Sequence, residues 1–280
     1  MNILVPTDFS PCADHALSFA ALLARRTNQG LTLVHVYTPV DLANTAMIDF
    51  VEREMESAKD EITLKLTELS QKIAHDNNIS CDHSLRVGGL TENILEEARH
   101  ANSGMIVMGT EGASGLTKLL FGSRTNQVIE HSDYPVLAVP IQTPLALPKK
   151  IVFATNFFDS DLDTLKQLLE FVRPWHPEIY LLHVSHENMR SERDYIETFS
   201  LAVMNETNYK HVYYYVLPHD SDERGIELFI KSVNADMLVL STRKRNFIER
   251  LFSASLTKRI AYHLQVPLLA YHTRLVDSKK

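Results

Sequence analysis

Several features that define particular protein classes are scarce in this sequence. The 280 residues include only two cysteines, Cys12 and Cys81, whose separation matches no metal-binding or redox spacing. No apolar run approaches the roughly 20 residues that span a bilayer. The opening segment Met1–Pro6 lacks the basic region and long apolar core of a signal peptide. We therefore expect a protein of the reducing cytoplasm that has no contact with membranes.

Positive charge and glycine are also in short supply. The formal net charge at pH 7 is −7, which argues against general nucleic-acid binding. The remaining composition, 45% hydrophobic and 22% charged, is that of an ordinary globular chain with room for two average domains. The chain has only nine glycines. A group of glycines at fixed spacing is therefore informative about function.

The sequence contains an internal duplication, in which four blocks recur in the same order. The matching blocks are Ile3–Asp8 with Ile151–Asn156, Leu33–Val36 with Leu181–Val184, Ala101–Thr110 with Val233–Thr242, and Tyr134–Ala138 with Val266–Ala270. Between the copies, Pro144 and Pro148 indicate a linker. We therefore predict two copies of one domain, at residues 1–143 and 149–275.

Each copy alternates short apolar segments with amphipathic ones. In the first copy this pattern predicts strands at 2–7, 31–36, 80–86, 104–108 and 135–139, and helices that include Cys12–Thr27 and Asp49–Asp76. Nearly continuous apolar strands that alternate with helices are typical of a parallel sheet covered on both faces. We therefore predict an α/β fold with two tandem Rossmann-like domains, each a five-stranded, mostly parallel sheet with helices on both faces.

The segment MGTEGASGLTKLLFGSRT, from Met108 to Thr125, carries the strongest functional signal. Two residues separate Gly109 from Gly112, and nine more lead to Gly122 and Ser123. An apolar strand precedes this segment and a helical pattern follows it. Glycine lets the backbone approach an anion closely, and a helix N-terminus presents free N–H groups and partial positive charge. The segment therefore predicts a phosphate-binding loop.

These motifs resemble those of the universal stress protein family, in its tandem form with two domains in one chain. The resemblance extends over nearly all 280 residues, and includes a first strand that ends at Asp8, the His35-Val36 strand and the Val87-Gly88 turn. The glycine spacing is similar to the family's ATP-binding signature. The resemblance implies an adenine nucleotide alpha hydrolase-like fold and a role in the stress response. It also implies that ATP, with or without Mg²⁺, or ADP or AMP, lies across the carboxyl ends of the strands.

The resemblance further implies a set of nucleotide-binding residues, all of them in the first copy. They are Pro6, Thr7, Asp8, Val36, Met108, Gly109, Glu111, Gly112, Gly122, Ser123, Arg124 and Thr125. In this arrangement Asp8 accepts a hydrogen bond from the ribose or base, and Val36 meets the adenine with its backbone. The glycines surround the phosphates, with help from the hydroxyls of Ser123 and Thr125.

Two of these residues depart from the family pattern. Glu111 occupies a position that is often His or Arg, and a carboxylate near phosphates repels them unless a divalent cation lies between. Arg124 replaces the usual apolar residue and is suited to offset Glu111, by pairing with it or with a phosphate. The alternative is that both side chains face solvent.

The second copy has lost the glycine signature. Ser241, Lys244 and Ala254 stand where the first copy has its three spaced glycines, and Asn156 replaces the aspartate. Side chains at glycine positions crowd a phosphate or forbid the backbone angles that it needs. We therefore predict that the second copy does not bind ATP in the family manner and serves as a structural or regulatory partner.

The family's last strands mediate dimerisation, and the resemblance implies the same role for Val136–Pro140 and Leu268–His272. The two halves would then pair within one chain, and such pairing removes an exposed sheet edge. We further expect two chains to associate as a homodimer.

No catalytic or metal-binding residues are indicated. The sequence has no Walker A motif, no G-x-G-x-x-G after a strand and no S-G-G-x-D-S loop. His35 and His183 occupy equivalent strand positions, which favours a structural role. Three functions remain open. They are a nucleotide-dependent regulator of an unidentified protein partner, a weak ATPase or autophosphorylating enzyme with Ser123 or Thr125 as acceptor, and a scaffold that binds no nucleotide.

Overall fold

The structure of the protein is a computed structural model that describes residues 1–38, 48–110, 123–157, 159–186, 193–242 and 266–272. The strands of the first half are β1 (Asn2–Pro6), β2 (Gly30–Tyr37), β3 (Cys81–Val87), β4 (Ser103–Gly109) and β5 (Val136–Val139). Its helices are α1 (Pro11–Thr27), α2 (Ile48–Asn77), α3 (Leu90–His100) and α4 (Ser123–His131). The strands and the two helices predicted by number are confirmed to within one residue at each end.

The second half repeats this order. Its strands are β6 (Lys150–Ala154), β7 (Glu178–Ser185), β8 (Val212–Pro218), β9 (Met237–Thr242) and β10 (Leu268–His272). Its described helices are α5 (Asp159–Val172), α6 (Arg193–Thr207) and α7 (Asp222–Val233), with one 3₁₀ turn at Arg173–Trp175.

All ten strands form one continuous sheet. The spatial order is β3-β2-β1-β4-β5-β10-β9-β6-β7-β8. Every neighbouring pair is parallel except β5 and β10, which are antiparallel. The predicted α/β class is therefore confirmed, and the two halves pair through their last strands. Because this one pair is antiparallel, the carboxyl ends of the first-half strands lie at one end of the sheet. Those of the second-half strands lie at the opposite end.

The two halves also share apolar packing. Leu137 of β5 lies opposite Leu269 of β10, and both are fully buried. They belong to a cluster that extends from Leu17 of α1 to Phe153 of β6 without interruption. The opposite face of the sheet is covered by two separate clusters, one for each half. One face of the sheet therefore carries a single apolar core common to both halves.

Polar contacts anchor the connection between the halves. The Trp175 indole N–H donates to the carbonyl of Pro148 in the linker at 2.9 Å. The guanidinium of Arg26, in the last turn of α1, donates to the carbonyl of Pro174. Both contacts hold the 3₁₀ turn of the second half against the first half and its linker.

Among the described residues, no helix is both long enough and apolar enough to cross a bilayer.

Because the core is continuous across β5 and β10, we predict that Leu269→Ala lowers the free energy of unfolding of the whole chain. Removing a buried leucine side chain costs about 2–5 kcal/mol. Urea unfolding followed by far-UV circular dichroism measures the change. The control is Leu201→Ala on α6, because Leu201 is 51% exposed and its replacement should change stability by less than about 0.5 kcal/mol. Equal effects of the two variants would contradict a shared core.

Candidate nucleotide-binding site

The turn after β1 is held by hydrogen bonds among its own residues. The Thr7 hydroxyl oxygen accepts from the Phe9 N–H at 3.0 Å, and an Asp8 carboxylate oxygen accepts from the Ser10 N–H at 3.1 Å. Phe9 adopts a left-handed conformation with φ of 58°. Ser10 then caps α1, because its side chain accepts from the Ala13 N–H at 3.2 Å. This turn therefore holds Thr7 and Asp8 at the carboxyl end of β1.

His35 supports the turn from the neighbouring strand. Its ring nitrogen Nδ1 donates to the Thr7 carbonyl at 2.8 Å, and its ring stacks on Phe9 with centroids 5.0 Å apart. In the second half, the Nδ1 of His183 makes the same contact with the carbonyl of Thr155 at 3.0 Å. The structural role predicted for both histidines is confirmed.

Gly109 ends β4 at a point where no side chain fits. A Cβ atom built there would lie 2.7 Å from the Cys12 sulfur and 2.9 Å from the Cys12 carbonyl oxygen. The preceding residue, Met108, is buried in the core. Glycine is therefore required at this position because the first turn of α1 approaches the backbone of β4 so closely.

Helix α4 begins beside the same glycine. The buried Thr125 hydroxyl donates to the Gly109 carbonyl at 2.8 Å, which ties the first turn of α4 to the end of β4. Ser123 and Arg124, which precede it on the helix, are exposed. The helix N-terminus thus lies at the carboxyl edge of the sheet with its free N–H groups and partial positive charge. The contact seen for Thr125 is structural, and its predicted role at the phosphates stays a prediction.

These groups meet at the carboxyl edge of the first-half strands. In the sheet, β1 lies between β2 and β4, so the ends of these three strands are neighbours. The chain runs outward from β1 through β2 to β3 and then crosses to β4 on the other side of β1. This reversal of direction makes the space between β1 and β4 a topological switch point of the type where α/β sheets bind ligands. Asp8, Val36 and Gly109 each lie at one of the three strand ends.

The acidic groups beside the turn influence each other. Burial raises the pKa of the Asp14 carboxyl, in the first turn of α1, and the negative charge of Asp8 raises it further. Crowded carboxylates favour hydrogen-bond donors, such as ribose hydroxyls or an adenine amino group, over anions. Within the crevice, the Asp8 side therefore suits the nucleoside and the α4 side suits the phosphates.

Of the predicted nucleotide-binding residues, Glu111, Gly112 and Gly122 lie outside the described residues. The others lie near the carboxyl ends of β1, β2 and β4 or in the first turn of α4; they are Pro6, Thr7, Asp8, Val36, Met108, Gly109, Ser123, Arg124 and Thr125. Their contacts with a ligand stay predictions. The sequence analysis missed Phe9, although its repetition as Phe157 in the second copy was a usable signal. It also missed Cys12, whose approach to Gly109 has no sequence signature.

The second half keeps the turn after its first strand, but a different side chain forms hydrogen bonds with that turn. The Thr155 hydroxyl and the Asn156 N–H both donate to one oxygen of the buried Asp161 carboxylate, each at 3.0 Å. In the duplicated alignment, Ala13 of the first half occupies the position of Asp161. The Thr155 hydroxyl and the Asn156 N–H are therefore engaged within the protein in the second half.

The position of the first glycine is also occupied in the second half. Ser241 replaces Gly109 there, and its hydroxyl lies 3.4 Å from that of Thr164 on α5. Lys244 and Ala254, which replace the other two glycines, lie outside the described residues. The loss of the binding site in the second half stays a prediction, and Asp161 and Ser241 give it a physical basis.

No cluster of three or more metal-ligating side chains occurs within the part of the chain that the structure describes.

Fold and crevice together define a tandem α/β protein of Rossmann-like architecture. The sequence model of the universal stress protein family matches residues 1–140 and again residues 148–272. The chain therefore belongs to the universal stress protein family.

Individual relatives match one half of this chain. Universal stress protein A homolog 1 of Coxiella burnetii is 31% identical over 141 residues, which is 49% of this chain and 94% of the relative. Universal stress protein MJ0577 of Methanocaldococcus jannaschii is 28% identical over 151 residues, covering 49% of this chain and 93% of the relative. A solved universal stress protein of Archaeoglobus fulgidus covers 97% of this chain with a TM-score of 0.75 and 19% identity, and shares the fold.

Gly109 and Gly104, which both lie in β4, provide a matched pair of variants that tests the close approach of Cys12. We predict that Gly109→Ala lowers the free energy of unfolding by about 1–3 kcal/mol, because the Cys12 backbone must move to admit a methyl group. Gly104→Ala should have little effect, since its Cβ would meet only the flexible Met1 side chain at 3.4 Å. Chemical denaturation of both variants measures the difference. Equal unfolding midpoints of the two variants would show that the approach of Cys12 to Gly109 does not exclude a side chain.

Proposed function

We propose that the first half of this protein binds an adenine nucleotide and that the second half does not. The single observation that carries the proposal is the convergence of Asp8, Val36 and Gly109 with the N-terminus of α4 at one switch point of the sheet. Membership of the universal stress protein family and the spaced glycines of the sequence support it. The proposed ligand is ATP, with or without Mg²⁺, or ADP or AMP.

The residues present fit such a ligand. The side chain of Asp8 supplies an acceptor for the ribose or base. Gly109 leaves the end of β4 without a side chain, and the exposed start of α4 supplies N–H groups of the kind that bind phosphate. The exposed guanidinium of Arg124 is available for a charge-assisted contact with a phosphate oxygen.

We propose that the bound nucleotide acts as a signal, which a protein partner or a second copy of the chain reads. Within the described part of the site, the start of α4 offers N–H groups of the kind that bind anions and no side chain is identified as a general base, which suits binding more than chemistry. Neither Cys12 nor Cys81 forms a disulfide, which is consistent with the cytoplasm as the place of action.

An enzymatic alternative rests on the exposure of Ser123. This hydroxyl is accessible at the start of α4, whereas that of Thr125 is buried and bonded to the Gly109 carbonyl. Autophosphorylation would therefore modify Ser123 and leave Thr125 unmodified. Release of phosphate from ATP, or a mass increase that Ser123→Ala abolishes, would identify this activity; its absence leaves the binding role.

The central prediction is the number of nucleotides that one chain binds. Mass spectrometry of the supernatant from denatured, freshly purified protein, followed by calorimetric titration with ATP, ADP, AMP and cyclic AMP, should give about one adenine nucleotide per chain. Gly109→Ala should abolish binding and Gly104→Ala should retain it. Two nucleotides per chain would contradict our interpretation of Asp161 and Ser241. No nucleotide and no heat of binding would favour a scaffold.

A second prediction concerns the charge of Glu111. If this carboxylate lies near the phosphates, Glu111→Gln should tighten ATP binding about fivefold in EDTA, since removing one screened unit charge is worth about 1 kcal/mol. Adding Mg²⁺ should reduce the difference, because the cation offsets the repulsion. Glu130→Gln makes the same charge change near the far end of α4 and is the control. Equal affinities of the two variants would indicate that Glu111 faces solvent.

A further inference from the structure

The two outer strands of the sheet differ in charge. Strand β3, at one edge, carries Asp82, His83 and Arg86. Strand β8, at the other edge, reads VYYYVLP and has no charged residue. Edge strands normally carry charge, proline or bulges that prevent pairing with another chain. An uncharged stretch rich in tyrosine is therefore a candidate for a specific interface.

Equivalent positions beside the two outer strands carry polar groups in the first half and aromatic rings in the second. In the first half, the Arg86 Nε donates to the buried Glu97 at 2.5 Å, and the Ser84 hydroxyl donates to the same carboxylate oxygen at 3.0 Å. The sheet register and the duplicated blocks align Ser84 with Tyr215 and Glu97 with Phe229. Two aromatic rings have thus replaced the Ser84–Glu97 contact, and Leu217 stands in place of Arg86.

These rings form a patch that we name the tyrosine patch: Tyr180, Tyr213, Tyr215 and Phe229. The ring centroids of Tyr180 lie 5.4 Å from Tyr213 and 5.8 Å from Tyr215, and those of Tyr215 and Phe229 lie 4.9 Å apart. Tyr213 and Tyr215 nevertheless remain 40% exposed. The rings pack on each other and still present apolar surface to solvent on the α7 side of the sheet.

The backbone of β8 has a free edge on its outer side. The Ile179 N–H donates to the His211 carbonyl at 2.8 Å, and the His219 N–H donates to the Ser185 carbonyl at 3.0 Å. In a parallel pair, alternate residues bond the neighbouring strand, so the odd-numbered residues of β8 face β7. The backbone groups of Val212, Tyr214 and Val216 point the other way. Within the described ranges, no strand pairs with that edge.

We propose that β8 pairs antiparallel with β8 of a second copy of this chain, about a two-fold axis at Tyr215. This register places Tyr213 opposite Leu217 and makes Tyr214 and Val216 hydrogen-bonded partners. It also places Lys210 of one chain opposite Asp220 of the other, and both positions are exposed. Pro218, which lacks an N–H, ends the paired segment.

A second copy fits this surface better than an unrelated protein because the strand complements itself. An isologous interface requires that each residue meet a suitable partner when the strand is reversed. Here apolar residues meet apolar residues, the tyrosine at the axis meets its own copy, and the basic flank meets the acidic flank.

A hydrogen bond with Glu178 raises the pKa of Tyr180 to about 12, so this ring stays neutral at physiological pH. The exposed Leu228 of α7 extends the apolar surface beside Phe229.

The oligomeric state tests the interface. The full chain should behave as a dimer at tens of micromolar in analytical ultracentrifugation. Val216→Pro removes an N–H that points away from β7, so it should weaken association at least about tenfold while circular dichroism and the melting temperature report an intact fold. A monomeric wild type, or a dimer that Val216→Pro leaves unchanged, would overturn the proposal.

A disulfide tests the register. Residues at the axis form a non-hydrogen-bonded pair with Cα atoms roughly 4.5 Å apart, within the range that a disulfide spans. Tyr215→Cys should therefore give a covalent dimer under mild oxidation. Tyr213→Cys is the matched control, because its copies would lie roughly 13 Å apart. The wild type shows the background, which should be low since Cys12 is buried and burial raises the pKa of the Cys81 thiol to about 12. Equal cross-linking of both variants, or none, would exclude this register.

Discussion

The antiparallel pairing of β5 with β10 is the interaction on which the rest of the structure depends. It joins two duplicated sheets into one, and the packing of Leu137 on Leu269 makes their apolar cores continuous on one face. The pairing also covers the edge strand that each half would otherwise expose. Because the two strands run in opposite directions, the crevices of the two halves lie at opposite edges of the sheet, and no single ligand can occupy both.

Within this frame, the two halves share a scaffold and differ in chemistry. Each has a threonine whose hydroxyl accepts from the N–H of a phenylalanine in the left-handed region, and each has a histidine bonded to the threonine carbonyl. The changes lie around this turn. Ala13 corresponds to Asp161, and Gly109 corresponds to Ser241. At these positions the first half has an alanine and a glycine, whereas the second half has a buried carboxylate and a hydroxyl. This difference supports our proposal of a phosphate site in the first half alone.

The outer strands of the two halves, β3 and β8, also differ in the side chains that pack beside them. The ion pair of Arg86 with Glu97 keeps a polar face under the edge of the first half. The aromatic rings around Phe229 make the corresponding face apolar. Duplication allows this division, since one copy can keep a ligand site while the other acquires a surface for association. Neither change disturbs the sheet, because both involve side chains at its ends and edges.

Much of this architecture could be predicted from the sequence. The alternation of apolar and amphipathic segments depends on local periodicity, and it located the strands of the first half and the helices α1 and α2 to within one residue. The repeated blocks revealed the duplication, and the spacing of Gly109 with its neighbours indicated an anion site. His35 and His183 were assigned structural roles correctly, because repeated strand positions leave a local signature.

The tertiary structure alone decided the rest, because those features depend on residues distant in the sequence that the fold brings together. The approach of Cys12 to Gly109 joins a helix start and a strand end that are 97 positions apart. The bond from Thr125 to the Gly109 carbonyl and the carboxylate of Asp161 beneath Thr155 depend on side-chain direction, which periodicity does not encode. The sequence by itself determined the class of fold and the duplication, and it predicts the place of a phosphate loop. Only the packing of the sheet decided which hydroxyls are used within the protein and which strands lie at its two edges.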